Sequence, residues 1–181
     1  MKRLLAIVAV FLVLGWGAWK WSHRGHGPEK ASSEEFPLFS GKEPKAPVKL
    51  YFPASNKPGF SDESSEIYLT QSKGAQVKQL LQQLFRGPKS PSAAPAFPKG
   101  FRYREVFVTD KGLAVIDLDP ESVKSHPGGT SSEFVSLYCL TRSVLENFKD
   151  IKQVQLLVGG QARESLAGHF DISEPLTLQD F

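Results

Sequence analysis

Apolar and polar positions switch period several times along this chain, and the switches predict its elements. Val48-Lys49-Leu50-Tyr51-Phe52 alternates and stops at Pro53, which predicts a strand. Asn56 to Ser65 is polar around Pro58 and Gly59 and reads as a loop. Glu66 to Thr70 reads as a second strand. Val77, Leu80, Leu81, Leu84 and Phe85 then fall on one helical stripe, closed by Gly87-Pro88. Residues 88–100 form a proline-rich loop, long enough that it is either mobile or used in a contact. Phe101–Val108 and Leu113–Leu118 read as strands around the turn Thr109-Asp110-Lys111-Gly112, with 121–129 as a loop. A second helix starts at Thr130, where Thr130 and Glu133 have capping-box spacing; its stripe runs through Phe134, Leu137, Tyr138, Thr141, Leu145 and Phe148. Val154, Leu156 and Val158 alternate, Gly159-Gly160 turns, and Gln161–Glu164 reads as a short return strand. The order β-β-α-β-β-α-β-β predicts an α+β two-layer sandwich, a mixed sheet with two helices on one face.

Upstream the pattern is different. Lys2 and Arg3 precede an unbroken apolar run, Leu4 to Ala18, and Lys20 lies between Trp19 and Trp21. The 18 residues from Leu4 to Trp21 would span roughly 27 Å as a helix, against a bilayer core of about 30 Å. Trp16, Trp19 and Trp21 suit the headgroup level, and the basic end stays in the cytoplasm. Residues 1–21 are therefore expected to be a single-pass signal anchor in the cytoplasmic (inner) membrane, with the rest of the chain outside. A cleaved signal peptide, using Gly15 and Gly17 at the cleavage site, is the competing reading. Residues 22–47 are rich in Gly, Pro, Ser, Glu and Lys and read as a flexible linker; its apolar patch is Phe36-Pro37-Leu38-Phe39. The expected domain is 48–178, with 179–181 as its C-terminal end.

Charge narrows the function. The formal net charge is +3, from 22 basic and 19 acidic residues. Residues 1–21 hold three of the bases and no acid, so the remaining 160 residues balance at 19 of each. A neutral domain has no footprint for nucleic acid. Cys139 is the single cysteine, which excludes an internal disulfide and a multi-cysteine zinc site.

Candidate chemistry is sparse. Gly128-Gly129-Thr130-Ser131 before a helix could cradle an anion but lacks the P-loop pattern, so a flexible helix start is preferred. Asp117 and Asp119 share one side of a strand end and suit either acid–base work or solvation. His169 and Asp171, with His126, make a metal site only if the fold gathers them. Cys139 reads as a buried thiol, and His23 and His26 lie in the linker. No catalytic constellation, cofactor or metal site is expected.

The ordered segments resemble the GerMN domain family of sporulation, germination and other envelope proteins. The resemblance rests on Val48–Phe52, Ile67–Leu69, Leu80–Leu81, Phe85–Pro88, Phe97–Gly100 and Gly112–Leu118. It continues through Leu140-Thr141, Val154–Gly160 and Gly168–Leu176, with Gly159-Gly160 where the family has Asp-Gly. It implies a single-copy domain shaped like ring-building modules, with a protein-contact role and no enzyme activity. The expected function is thus a membrane-anchored, extracytoplasmic interaction or scaffold domain of the bacterial envelope. Its partner would be an envelope protein or a second copy, with an open sheet edge as the candidate contact. The alternative is a cell-wall glycan module using exposed aromatics such as Tyr51, Tyr68 or Tyr103. A hydrolase using Asp117 or Asp119 ranks last.

Overall fold

The computed structural model describes residues 40–181. The expected anchor, with Lys2, Arg3, Trp16, Trp19 and Trp21, and the Phe36–Phe39 patch lie outside the described residues. Among the described residues no helix is long and apolar enough to cross a membrane.

The elements run β1 (Lys45–Pro53), β2 (Phe60–Tyr68), α1 (Lys73–Arg86), β3 (Tyr103–Val108), β4 (Leu113–Leu118), α2 (Pro120–Lys124), α3 (Thr130–Asn147) and β5 (Gln153–Val158), closing with a 3₁₀ turn at Leu178–Asp180. The α+β class holds. The expected single mixed sheet does not: β1 and β2 form an antiparallel ribbon, and β3-β4-β5 form a separate three-stranded sheet. That second sheet is mixed, with β3 antiparallel and β5 parallel to β4. Parallel neighbours need a crossover, which α2 and α3 supply.

The ribbon stays a ribbon because side chains occupy its edges. Asn147 on α3 acts like a neighbouring strand at Lys49: its Oδ1 accepts from the Lys49 N–H at 2.8 Å and its Nδ2 donates to the Lys49 carbonyl at 2.6 Å. The Tyr51 N–H donates to Ser143 Oγ at 3.0 Å. Pro47 and Pro53 face the same way by alternation and have no N–H to satisfy. On β2, Gln79 of α1 pairs with both backbone groups of Tyr68, at 2.8 and 3.0 Å. Gln83 Nε2 donates to the Glu66 carbonyl at 2.9 Å. Gln76 Nε2 donates to the Thr70 carbonyl at 2.6 Å.

The core joins the two sheets through the helices. Val77, Leu80, Leu81 and Leu84 on α1 are fully buried, as are Phe52, Ile116, Leu140 and Leu156. Ser72 caps α1 by accepting from the Ala75 N–H at 3.3 Å, and Gly87 at φ 92° ends it. The proline-rich loop 88–100 is packed rather than loose. Phe97 is buried against Phe85 and Phe101, with ring centroids 4.7 and 4.8 Å away, and Ala96 is buried beside it. Burying one such phenylalanine is worth about 2–3 kcal/mol.

Four expectations change. β1 begins at Lys45, inside the stretch read as linker. β2 begins at Phe60, because Ser61 to Ser65 pair through their backbones with Val48 to Phe52 and need no apolar pattern to do so. Residues 120–124 form a short helix, capped by Asp119 with Pro120 in its first turn. The return strand at 161–164 is reduced to one bridge, Val158 with Gln161. The C-terminal stretch instead covers β5: Leu176 exchanges both backbone hydrogen bonds with Val154 at 2.8 and 2.9 Å, and Leu166, Ile172 and Leu176 are buried.

Gly112 fixes the β3–β4 turn. Its φ is +83°, and an added Cβ would run into the Asp150 carbonyl oxygen. Gly112→Ala should therefore cost at least about 2 kcal/mol, read as a lower midpoint in urea with unchanged slope.

Candidate functional site: a proline-walled cleft at the start of the long helix

Two stretches that the sequence treats separately meet across one cleft of about 1000 Å³. One wall is Pro95, Phe97 and Pro98 of the proline-rich loop, with Pro53 at the end of β1. The other is Gly128 to Ser132, where α3 begins. The expected Thr130–Glu133 capping box is absent. Gly129, at φ 85°, is the N-cap and no side chain caps the helix. Glycine takes this backbone without strain.

His126 and Ser136 lie at the base. His126 Nδ1 accepts from the Gly128 N–H at 3.1 Å, so the neutral ring carries its proton on Nε2. Nε2 then donates to Ser136 Oγ at 2.9 Å, and Ser136 Oγ donates onward to the Ala96 carbonyl. Burial lowers the His126 pKa, against an opposing pull from the Glu133 charge. A serine nucleophile needs the reverse polarity, with a ring lone pair facing its hydroxyl. This chain of bonds is a strut tying the proline-rich loop to α3.

Glu133 has a different task from capping. Its carboxylate is fully buried, yet it accepts from four donors on the C-terminal stretch. Oε2 takes the N–H groups of Ala167, Phe170 and His169 at 3.0, 3.2 and 3.3 Å. Oε1 takes the His169 ring Nδ1 at 2.9 Å. Burial pushes the Glu133 carboxyl up, but these donors together outweigh it and hold the pKa below its ordinary value. His169 is thus half of a clasp. Asp171 faces away and bonds Ser173 at 2.8 and 2.7 Å. Among the described residues no three His, Cys, Asp or Glu side chains could hold a metal ion together.

The remaining candidates also serve the fold. Asp117 is nearly buried; its Oδ1 accepts from the Gly160 N–H at 2.7 Å and its Oδ2 lies 3.5 Å from Arg104. Asp119 caps α2 through the Ser122 N–H and hydroxyl, both at 2.9 Å, and the backbone bond leads in holding its pKa down. Cys139 is buried, and burial pushes its thiol to about 12. The three tyrosines meet different neighbours: Tyr51 is buried under Arg142, Tyr68 lies under Lys45, and Tyr103 packs toward Phe85. Sequence spacing misses the Glu133 clasp; its signal is an acid in the first turn of a helix, followed directly by the apolar Phe134 and Val135.

The family model described as "Germane: Sporulation and spore germination" matches residues 49–164. The chain belongs to the Germane family. No curated protein sequence matches it. Among solved structures, a candidate lipoprotein from Clostridium perfringens superposes with TM-score 0.55 at 26% identity, covering 75% of this chain and 89% of that one. The first GerMN domain of the sporulation protein GerM from Bacillus subtilis gives TM-score 0.57 at 18% identity, covering 74% and 98%. Its tandem form gives 0.58 at 16% identity, covering 76% of this chain and 48% of that one. One Germane domain therefore accounts for about half of the tandem protein. The clasp loop, 167–170, lies just past the matched residues.

Glu133→Gln keeps the shape but turns a fourfold acceptor into a mixed donor, and should cost about 2–3 kcal/mol. The folded-state pKa of Glu133 lies below its ordinary 4.5. Its stabilisation is thus complete above that value and is lost as pH falls through the folded pKa. Urea titrations between pH 3 and 7 should show a steeper acid limb for wild type than for Glu133→Gln. Cys139 should resist a thiol-specific chromogen in the native protein and react at once in denaturant.

Proposed function

We propose that this Germane domain is a membrane-anchored, extracytoplasmic interaction module of the cell envelope that binds a protein and catalyses nothing. One observation carries the reading. The side chains that could do chemistry, Asp117, Asp119, His126, Glu133, Ser136 and His169, are all committed to holding the fold, and of these only His126 and Ser136 line the open cleft. A concave surface walled by Pro53, Pro95, Phe97 and Pro98, with His126 and Ser136 already paired at its base, suits recognition. The apolar run Leu4–Ala18 behind Lys2 and Arg3 supports the anchor, as does the likeness to a candidate lipoprotein. The family name supports a place in sporulation or germination envelopes, with the partner drawn from that setting.

A photo-crosslinking residue at Ser131, on the cleft rim and exposed, should capture one defined envelope protein in living cells. The same residue at Lys149, exposed and beyond the opposite end of α3 from the cleft, should not. Retention of the purified chain on cell-wall sacculi, with no protein captured, would replace this reading with the glycan-binding one. A turnover activity abolished by Asp117→Asn in a folded protein would replace it with the hydrolase.

A further inference from the structure

A second surface lies around the corner of α3 from the cleft. Arg142 sits over the Tyr51 ring at 4.3 Å and beside the Tyr138 ring at 5.5 Å, and donates to the Tyr138 hydroxyl. Among the described residues it forms no ion pair with a carboxylate. The nearest candidate by register, Asp62 opposite Tyr51, pairs with Lys49 at 3.5 Å. Two aromatic rings thus hold a cation that has no counter-ion among the described residues. Beside it runs a wall of half-buried rings. Phe134 and Tyr138 lie parallel one helical turn apart, Phe181 packs edge-on against both at 5.6 and 5.5 Å, and Phe170 stacks on Phe181 at 5.2 Å. Phe60 closes the far side of Tyr138 at 4.2 Å.

We propose that this face docks a peptide segment in which carboxylates directly precede aromatic and apolar residues. The carboxylate would pair with the Arg142 guanidinium, already fixed in place and so costing little further ordering. The following side chains would cover the ring edges beside it. Arginine and aromatic side chains packed together are the composition of interface hot spots. The phenylalanines offer no hydrogen bonds to sugar hydroxyls, so the charge and the apolar wall together favour a peptide over a glycan. The same charge logic excludes a basic partner. The chain's own sequence contains such a segment, Glu34-Glu35-Phe36-Pro37-Leu38-Phe39, which defines the probe.

The test titrates a fluorescein-labelled peptide of residues 31–42 into the full-length chain in detergent micelles, read by anisotropy. The receptor carries Glu34→Lys and Glu35→Lys so that its own copy does not compete. Saturable binding is expected, weakening with added salt. Arg142→Gln should weaken it by about tenfold or more, and a peptide with both glutamates changed to lysine should not bind. Phe181→Ser, which removes one half-buried ring without touching Arg142, should weaken binding while leaving its salt dependence. Thermal midpoints of both variants control for folding. Absence of saturable binding overturns the proposal, as does equal affinity for Arg142→Gln in a folded state, or retention on sacculi that Arg142→Gln abolishes without any peptide binding.

Discussion

A two-stranded ribbon has two edges, and backbone groups left bare along them invite another strand. The ribbon of β1 and β2 meets that constraint with side-chain amides. Gln76, Gln79 and Gln83 recur at three- and four-residue spacing, so one face of α1 presents a ladder of amides to Glu66 and Tyr68 of β2 and to Thr70 just after it. Asn147 and Ser143 do the same for β1 from α3, and prolines remove the donors at Pro47 and Pro53. The helices therefore hold the ribbon by directional bonds as well as by the apolar stripe. Replacing Gln79 or Asn147 would leave both a donor and an acceptor of its strand unmatched, and replacing Gln76 or Gln83 would leave an acceptor.

The three-stranded sheet solves the same problem by other means. β5 is covered by the C-terminal stretch, which is too irregular to count as a strand and is held at few points. Glu133 supplies the electrostatic anchor there, and Ile172 and Leu176 the apolar ones. On β3 the Val106 N–H turns to the Glu105 carboxylate, which Lys78 of α1 also engages. Gly74 lets the first turn of α1 come close: a Cβ there would stand only 3.1 Å from the Val106 carbonyl oxygen. The two sheets thus stay separate with Lys49 and Tyr51 of β1, Glu66 and Tyr68 of β2 and Val154 of β5 already bonded to other parts of the chain.

This explains which parts of the fold were legible in the sequence. Elements that bury a stripe announce themselves: Val77 to Phe85, Leu113 to Leu118 and Val154 to Val158 stand where the periodicity puts them. Elements that form through backbone pairing at a half-exposed surface do not. Ser61 to Ser65 carries no apolar alternation because the ribbon's far face is solvent. Glu133 misleads because its local spacing fits a cap, while its partners lie more than thirty residues away. Both walls of the cleft drew attention as sequence, the glycines before α3 and the proline-rich loop. Their meeting depends on Phe97 and on the strut from His126 through Ser136 to Ala96, contacts that no local pattern encodes.

Closing the edges has a consequence for how the domain can associate. Strand addition draws its affinity from main-chain hydrogen bonds and is tolerant of sequence. Along the ribbon many of those bonds are already made by side chains, and at the start of β2, around Asp62 and Ser64, the outward side chains are polar or charged. Association must then rely on side-chain surfaces, on the cleft or on the ring-lined face of α3. Such contacts are more demanding of their partner's sequence, and those that use Arg142 answer to ionic strength. A fold that spends its amides on its own edges gives up a general mode of assembly and keeps a selective one.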